Sequence, residues 1–184
     1  MPAIRRRLPP RARRAGPVVG NHSFSHPDRG LVSAEDYIRD IQKGDEAVQR
    51  WLKGVHHFRF PFLRQGNTAE KWDAVLGWMA SRGMVVAPVT IDNNDFEYSR
   101  RLVDAKAGGR VIDVRDEYLT HMMEMAAYYD AKGRAKMGRS VKQVLLLHMN
   151  YLNSLYLDDL LRATATTGGR SFRLKMRCGM RCTR

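Results

Sequence analysis

Two histidines stand four residues apart in Gly20-Asn21-His22-Ser23-Phe24-Ser25-His26-Pro27. On a turn of helical pitch, positions i and i+4 point the same way, and H-x3-H is a spacing that lets two imidazoles share one metal ion. Each neutral ring could form a metal–nitrogen bond of about 2.0–2.1 Å to zinc, but a catalytic site also needs a third protein ligand and an open position for water. The same spacing would serve a capped loop whose histidines only hydrogen-bond. Phe58-Arg59-Phe60-Pro61-Phe62 is a second loaded segment. Its arginine is a fixed cation that can orient a carboxylate, and its aromatics can line a groove on which a sugar face stacks. A third pairing joins His148, in Leu145-Leu146-Leu147-His148-Met149-Asn150, to Asp92-Asn93-Asn94-Asp95-Phe96. An aspartate bonded to one ring nitrogen fixes the imidazole tautomer, which general acid–base work requires.

The elements that must position these segments follow from periodicity. Tyr37, Ile38, Ile41, Val48, Trp51 and Leu52 recur at helical spacing across residues 33–52, behind an S-x-x-D start at Ser33 and Asp36. Residues 55–60 read as a short strand that Pro61 interrupts. Residues 68–82 return to helical period, with Trp72, Val75, Leu76 and Met79 on one face and Gly83 just beyond. The run MVVAPVTI at 84–91 predicts a strand buried on both sides, 118–129 a third helix, 141–147 a third strand, and the stretch through Leu161 a last amphipathic helix. Alternating strands and helices specify an α/β fold with parallel strands and outer helices, in which function gathers at the carboxyl ends of the strands. FRFPF after Val55, DNNDF after Ile91 and HMN after Leu147 are expected at such ends.

Composition narrows the class. With 184 residues, 43% hydrophobic and 28% charged, the chain is expected to form one compact domain of ordinary globular composition. No window approaches the roughly 18–20 apolar residues of a spanning helix, so no transmembrane segment is expected, and no signal peptide is visible. The compartment stays open. The net charge of +13 at first suggests a polyanion binder, but its distribution argues otherwise. Residues 1–16 hold six arginines and residues 162–184 hold seven cations, with no acid in either segment; the remaining 19 cations face all 19 carboxylates. The body is neutral and the excess belongs to two arms. The expected organisation is therefore a basic disordered arm at 1–16, a domain at 17–161 and a basic disordered tail at 162–184. Cys178 and Cys182, spaced C-x3-C in the tail, lack the two further ligands a zinc knuckle would need.

Taken in order, H-S-x-x-H, F-R-x-P-F, D-x-x-D-F and L-x-L-H-x-N resemble the polysaccharide deacetylases of carbohydrate esterase family 4. Any one motif is weak; four in sequence across about residues 18–161 are specific. The resemblance implies an incomplete, distorted (β/α) barrel and metal-dependent hydrolysis of N-acetyl or O-acetyl groups on a polysaccharide. It makes His22 and His26 the metal ligands, Arg59 the arginine that positions a carboxylate base, His148 the general acid and Asp95 its partner. Leu146 would line the pocket for the acetyl methyl, and Phe62 and Phe96 would be groove aromatics, Phe96 standing where tryptophan is more usual. The implied chemistry is attack by a metal-polarised water, with His148 protonating the leaving amine. Zinc is the expected metal, with cobalt, nickel or manganese as substitutes. The implied partner is an acetylated polysaccharide rather than a specific nucleic acid.

One departure bears on activity. The family's first motif, an aspartate pair preceded by Thr-Phe, supplies both the base and a third metal ligand, yet no acidic residue precedes Asp28. The chain therefore reads as a truncated or frame-disrupted deacetylase. Two other readings stay open: a catalytically inactive carbohydrate-binding relative that keeps the aromatic groove, and a polyanion binder acting through its arms.

Overall fold

The computed structural model describes residues 18–166. The basic arm at 1–16 lies outside the described residues, as does all of the expected tail beyond Thr166, including Cys178 and Cys182. Helix α1 spans Ala34–Val48. Its start is fixed by Ser33, whose hydroxyl oxygen accepts from the Asp36 amide at 3.0 Å while the same hydroxyl donates to the Asp36 carboxylate at 2.8 Å. Tyr37, Ile41 and Gly44, at i, i+4 and i+7, form its buried face. Helix α2, Ala69–Ser81, is capped by Thr68 and buries Val75 and Met79. Strands β1 (His56–Phe58) and β2 (Met84–Val86) pair in parallel, with His56 opposite Met84 and Phe58 opposite Val86. Tyr37, Ile41, Phe58, Phe60, Val75, Met79 and Met84 make the first core, where α1 and α2 cover one face of this ribbon. Arg29 is buried against it, donating to the carbonyls of Gln65 and Lys71 and packing over the rings of Tyr37, Phe60 and Trp72.

Three further helices build a second core: α3 (Asp95–Ala107), α4 (Arg115–Met137) and α5 (Tyr151–Thr166). Leu102, Val114, Tyr118, Met122, Leu152 and Leu160 are its buried members. Among the described residues no helix is long and apolar enough to cross a membrane.

The architecture is mixed, with parallel strands and helices as expected, but among the described residues the sheet is a two-stranded open ribbon rather than a barrel. Asn21 adds an isolated parallel bridge to Phe58 of β1, and further along the chain from β2 Ile91 makes another to Leu145. The strand expected over 84–91 stops at Val86, because Pro88 has no amide to continue the ladder. Nor is it buried on both sides, since Val85 is 47% exposed. The strand expected over 141–147 is reduced to one bridge. There the Thr90 hydroxyl accepts from the Val144 amide at 2.7 Å, taking a place that a backbone carbonyl would hold in a regular ladder, while the Thr90 and Ile91 amides converge on the single Val144 carbonyl. Helix α4 is longer than the expected 118–129, and α5 runs past Leu161 to Thr166.

Gly44 lies where α1 crosses the histidine loop. A Cβ there would sit 2.5 Å from Asn21 Oδ1 and 2.9 Å from the Ser23 carbonyl carbon, whereas a Cβ at Gly77 in α2 would meet nothing within 4 Å. Gly44→Ala is therefore expected to cost about 1–3 kcal/mol in denaturant unfolding, and Gly77→Ala to stabilise by about 0.5–1 kcal/mol. Equal stability of the Gly44→Ala variant and the parent would contradict the close approach.

Candidate functional site

The histidine loop is held by Asn21, which is 3% exposed. Its backbone bridges to β1, the amide donating to the His57 carbonyl at 2.8 Å and the carbonyl accepting from the Arg59 amide at 3.0 Å. Its side-chain amide donates to the Ile41 carbonyl (2.8 Å) and to Asp45 Oδ1 (2.5 Å), and its Oδ1 accepts from the Ser23 amide (2.8 Å). Asp40, one turn earlier on α1, accepts from the amides of Phe24 and Ser25 and from the Ser25 hydroxyl. The loop is not the helical turn that i, i+4 spacing suggested. Ser23 (φ 65°) and His26 (φ 58°) occupy the left-handed region, a costly conformation for side chains with a Cβ, and the α1 carboxylates and Asn21 hold it in place. The two rings nevertheless meet edge to face, with centroids 4.9 Å apart.

Arg59 ties this loop to the strand end. Its carbonyl lies 2.8 Å from His22 Nδ1 and, able only to accept, fixes the Nδ1–H tautomer as the donor, leaving Nε2 of His22 with its lone pair. Burial is the main reason the His22 pKa falls to about 4; the hydrogen bond to the Arg59 carbonyl works against it, and electrostatic repulsion from His26, Arg59 and His148 lowers it further. The ring is neutral at pH 7. The Arg59 guanidinium is itself buried and donates through Nε to the Ala87 carbonyl at 3.3 Å.

The other half of the site is organised by Asp95, the first residue of α3 and 1% exposed. Its Oδ1 is 2.5 Å from His148 Nδ1, and its Oδ2 accepts from the His148 amide at 2.9 Å and from Asn153 Nδ2 at 2.7 Å. A carboxylate in the first turn of a helix is also favoured by the exposed amides there. Phe96 packs edge-on to the His148 ring at 5.9 Å. Asn93, bonded to the Leu146 carbonyl at 2.6 Å, pins the acidic turn to the HMN segment.

These two halves face one cavity of about 440 Å³, whose wall includes His22, His26, Arg59, Phe96, Leu146 and His148. Seven of the eight residues expected from the sequence thus meet at or directly beneath one space, Asp95 reaching it through His148. Phe62 is the exception: it is not part of the cavity wall but packs against the His26 ring at 4.7 Å, on an exposed turn where its own φ is 54°. His57 and Asn21, in the cavity wall, Asn153, bonded to Asp95, and Tyr118, bonded to Asn153, were not singled out in the sequence. For Asn153 a signal existed in N-x-x-N, because Asn150 Oδ1 accepts from the Asn153 amide at 2.9 Å and caps α5.

A metal would find donors of the right chemistry here but too few of them. His22 is neutral, and its second nitrogen is engaged by a backbone carbonyl, as ligating histidines usually are. Among the described residues, however, no group of three or more His, Cys, Asp or Glu side chains is gathered to hold an ion. What the arrangement offers chemically is two adjacent imidazoles, a third imidazole with its tautomer set by a buried carboxylate, a buried guanidinium and an apolar patch from Leu146 and Phe96.

Comparison with known families matches residues 8–81 to the family described as Polysaccharide deacetylase. No curated protein and no solved structure matches the chain.

The buried imidazole has a consequence for stability in the metal-free protein. Because the folded His22 titrates near 4 and an unfolded histidine near 6.5, the unfolded chain binds the proton first. The His22 contribution is intact above pH 6.5 and is lost as the pH falls towards 4. Ring-proton NMR should give a midpoint near 4, and the stability lost between pH 6.5 and 4 should be smaller in His22→Asn; a midpoint near 6.5 would contradict the burial.

Proposed function

Residues 8–81 match the polysaccharide deacetylase family, and from that premise we propose that the cavity hydrolyses acetyl groups, N-acetyl or O-acetyl, on a polysaccharide or related carbohydrate. Carbohydrate deacetylation in general is what the family match supports. The observation that carries the fuller reading is the meeting of the His22–His26 pair with the Asp95-held His148 across one cavity. In this reading residues 17–161 form the deacetylase-like domain. The parallel order of Asn21, β1, β2 and Leu145 supports taking the ribbon as one arc of an incomplete (β/α) barrel.

His22 and His26 would hold a divalent ion, zinc first and cobalt, nickel or manganese as alternatives. When bound, such an ion supplies polarisation of the acetyl carbonyl and of a water. The chain's own residues supply other roles, although among the described residues no carboxylate lines the cavity to take the proton of the water. Asp95 keeps the Nδ1 proton of His148 engaged and supports the imidazolium, so that a proton taken up at Nε2 is the one that passes to the leaving nitrogen or oxygen. Leu146 offers an apolar seat for the acetyl methyl, Phe96 and Phe62 offer faces for a sugar ring, and Arg59 places a cation at the rear of the cavity for a carboxylate.

The shortage of metal donors among the described residues favours one alternative, a carbohydrate-binding relative with little catalysis. Acetate release separates the two. With added zinc or cobalt, the chain extended by an upstream strand ending in an aspartate pair should liberate acetate from an N-acetylated chitooligosaccharide where the 184-residue chain releases little, and in the extended form His148→Ala should lower turnover by about 10²–10⁴, or roughly 3–5 kcal/mol of barrier, with little change in oligosaccharide binding. Asp95→Asn should act in the same direction but less severely, because the imidazole remains. Equal turnover by His148→Ala and the parent would overturn the role of His148. Oligosaccharide binding by the extended form without any metal-dependent acetate release would establish the binding relative instead.

A further inference from the structure

We propose that Asn153 and Tyr118 are positioning residues for His148, dedicating one oxygen of Asp95 to the imidazole. The inference deepens the reading of His148 as proton donor and rests on it for its functional meaning. The two carboxylate oxygens of Asp95 are used differently. Oδ1 receives the His148 ring nitrogen at 2.5 Å, whereas Oδ2 receives Asn153 Nδ2 at 2.7 Å, the His148 amide at 2.9 Å and Asn150 Nδ2 at 3.3 Å. The shortest of the three Oδ2 contacts comes from Asn153, a 6%-exposed residue within α5. The same amide nitrogen donates to the His148 carbonyl at 2.9 Å, so Asn153 grips both members of the Asp–His pair.

An asparagine amide can face either way, and here Tyr118 decides. Its hydroxyl, on α4 and fully buried, donates to Asn153 Oδ1 at 2.8 Å. This directs the NH₂ end of the amide at Asp95, whose carboxylate can only accept. Burial, reinforced by the Asp95 charge, keeps the phenol well above its ordinary pKa, so it stays protonated and able to donate. Tyr118, Asn153, Asp95 and His148 form one chain of hydrogen bonds, from the second core to the cavity wall. With Oδ2 saturated from behind, the carboxylate has no reason to rotate and share Oδ1. Nδ1 of His148 therefore keeps its proton and Nε2 faces outward.

The test reads the tautomer directly and needs no substrate. In the ¹⁵N-labelled full chain, at a pH where imidazole is neutral, long-range proton–nitrogen NMR should find His148 as the Nδ1–H form, with Asp95→Asn as the benchmark for its loss. Asn153→Ala should raise the Nε2–H fraction and speed exchange of the Nδ1 proton by about tenfold, the effect of losing one charge-assisted hydrogen bond. Tyr118→Phe, which conserves shape and packing, should shift both in the same direction by less and decides the matter should Asn153→Ala not fold. A folded Tyr118→Phe with unchanged tautomer and exchange would overturn the proposal, as would a parent His148 already in the Nε2–H form. Acetate release that is indifferent to His148→Ala, alongside an intact tautomer response, would instead overturn the proton-donor reading and leave the positioning standing.

Discussion

A carboxylate that is 1% exposed cannot be left without donors, and much of the second half of this chain is arranged around meeting that requirement for Asp95. The turn before α3 presents it, the HMN segment gives it the backbone amide and ring of His148, α5 contributes Asn153, and α4 contributes Tyr118 behind Asn153. Breaking such a buried network by removing one member costs far more than a surface contact, because the others are left desolvated and unpaired. The same constraint that closes the second core therefore also aims an imidazole into the cavity. Structure and site share one set of hydrogen bonds.

The first half solves a different problem with the same kind of device. Its histidine loop adopts left-handed backbone at Ser23 and His26, which α1 makes tolerable by offering Asp40 to the loop amides and the Ile41 carbonyl and Asp45 carboxylate to Asn21. Gly44 leaves room for Asn21 to reach that surface. The product is a pair of imidazoles whose order is imposed by the scaffold, with His22 kept neutral by its burial. Such preorganisation is what a ligand-binding constellation needs, whether the ligand is an ion or a substrate.

Chemistry-bearing residues were legible in the sequence because their spacing relative to strand ends survives local surprises. His22, His26, Arg59 and His148 reach one cavity although the loop between the first two is not helical and the strand before the last is a single bridge. Helices α1 and α2 were legible from their caps and apolar period. Helix α3 was hidden because its buried face begins with Asp95 and Ser99, two polar residues that blur the apolar stripe. The barrel expected from the resemblance is not what the described residues form, since Pro88 and the Thr90 hydroxyl interrupt the ladder where longer strands would be needed. For Asn153 the N-x-x-N spacing signals only the helix cap, and Tyr118 carries no local signal, because the importance of both comes from contacts more than thirty positions apart that only the tertiary fold creates.

Binding of an acetylated sugar at the junction of the two halves is the most direct test. NMR mapping with an N-acetylated chitooligosaccharide should move the ring resonances of His22, His26 and His148 together, and the fully deacetylated oligomer at equal concentration should not. Perturbation confined to surfaces away from these imidazoles, or an identical response to both oligomers, would contradict a cavity built to receive the acetyl group.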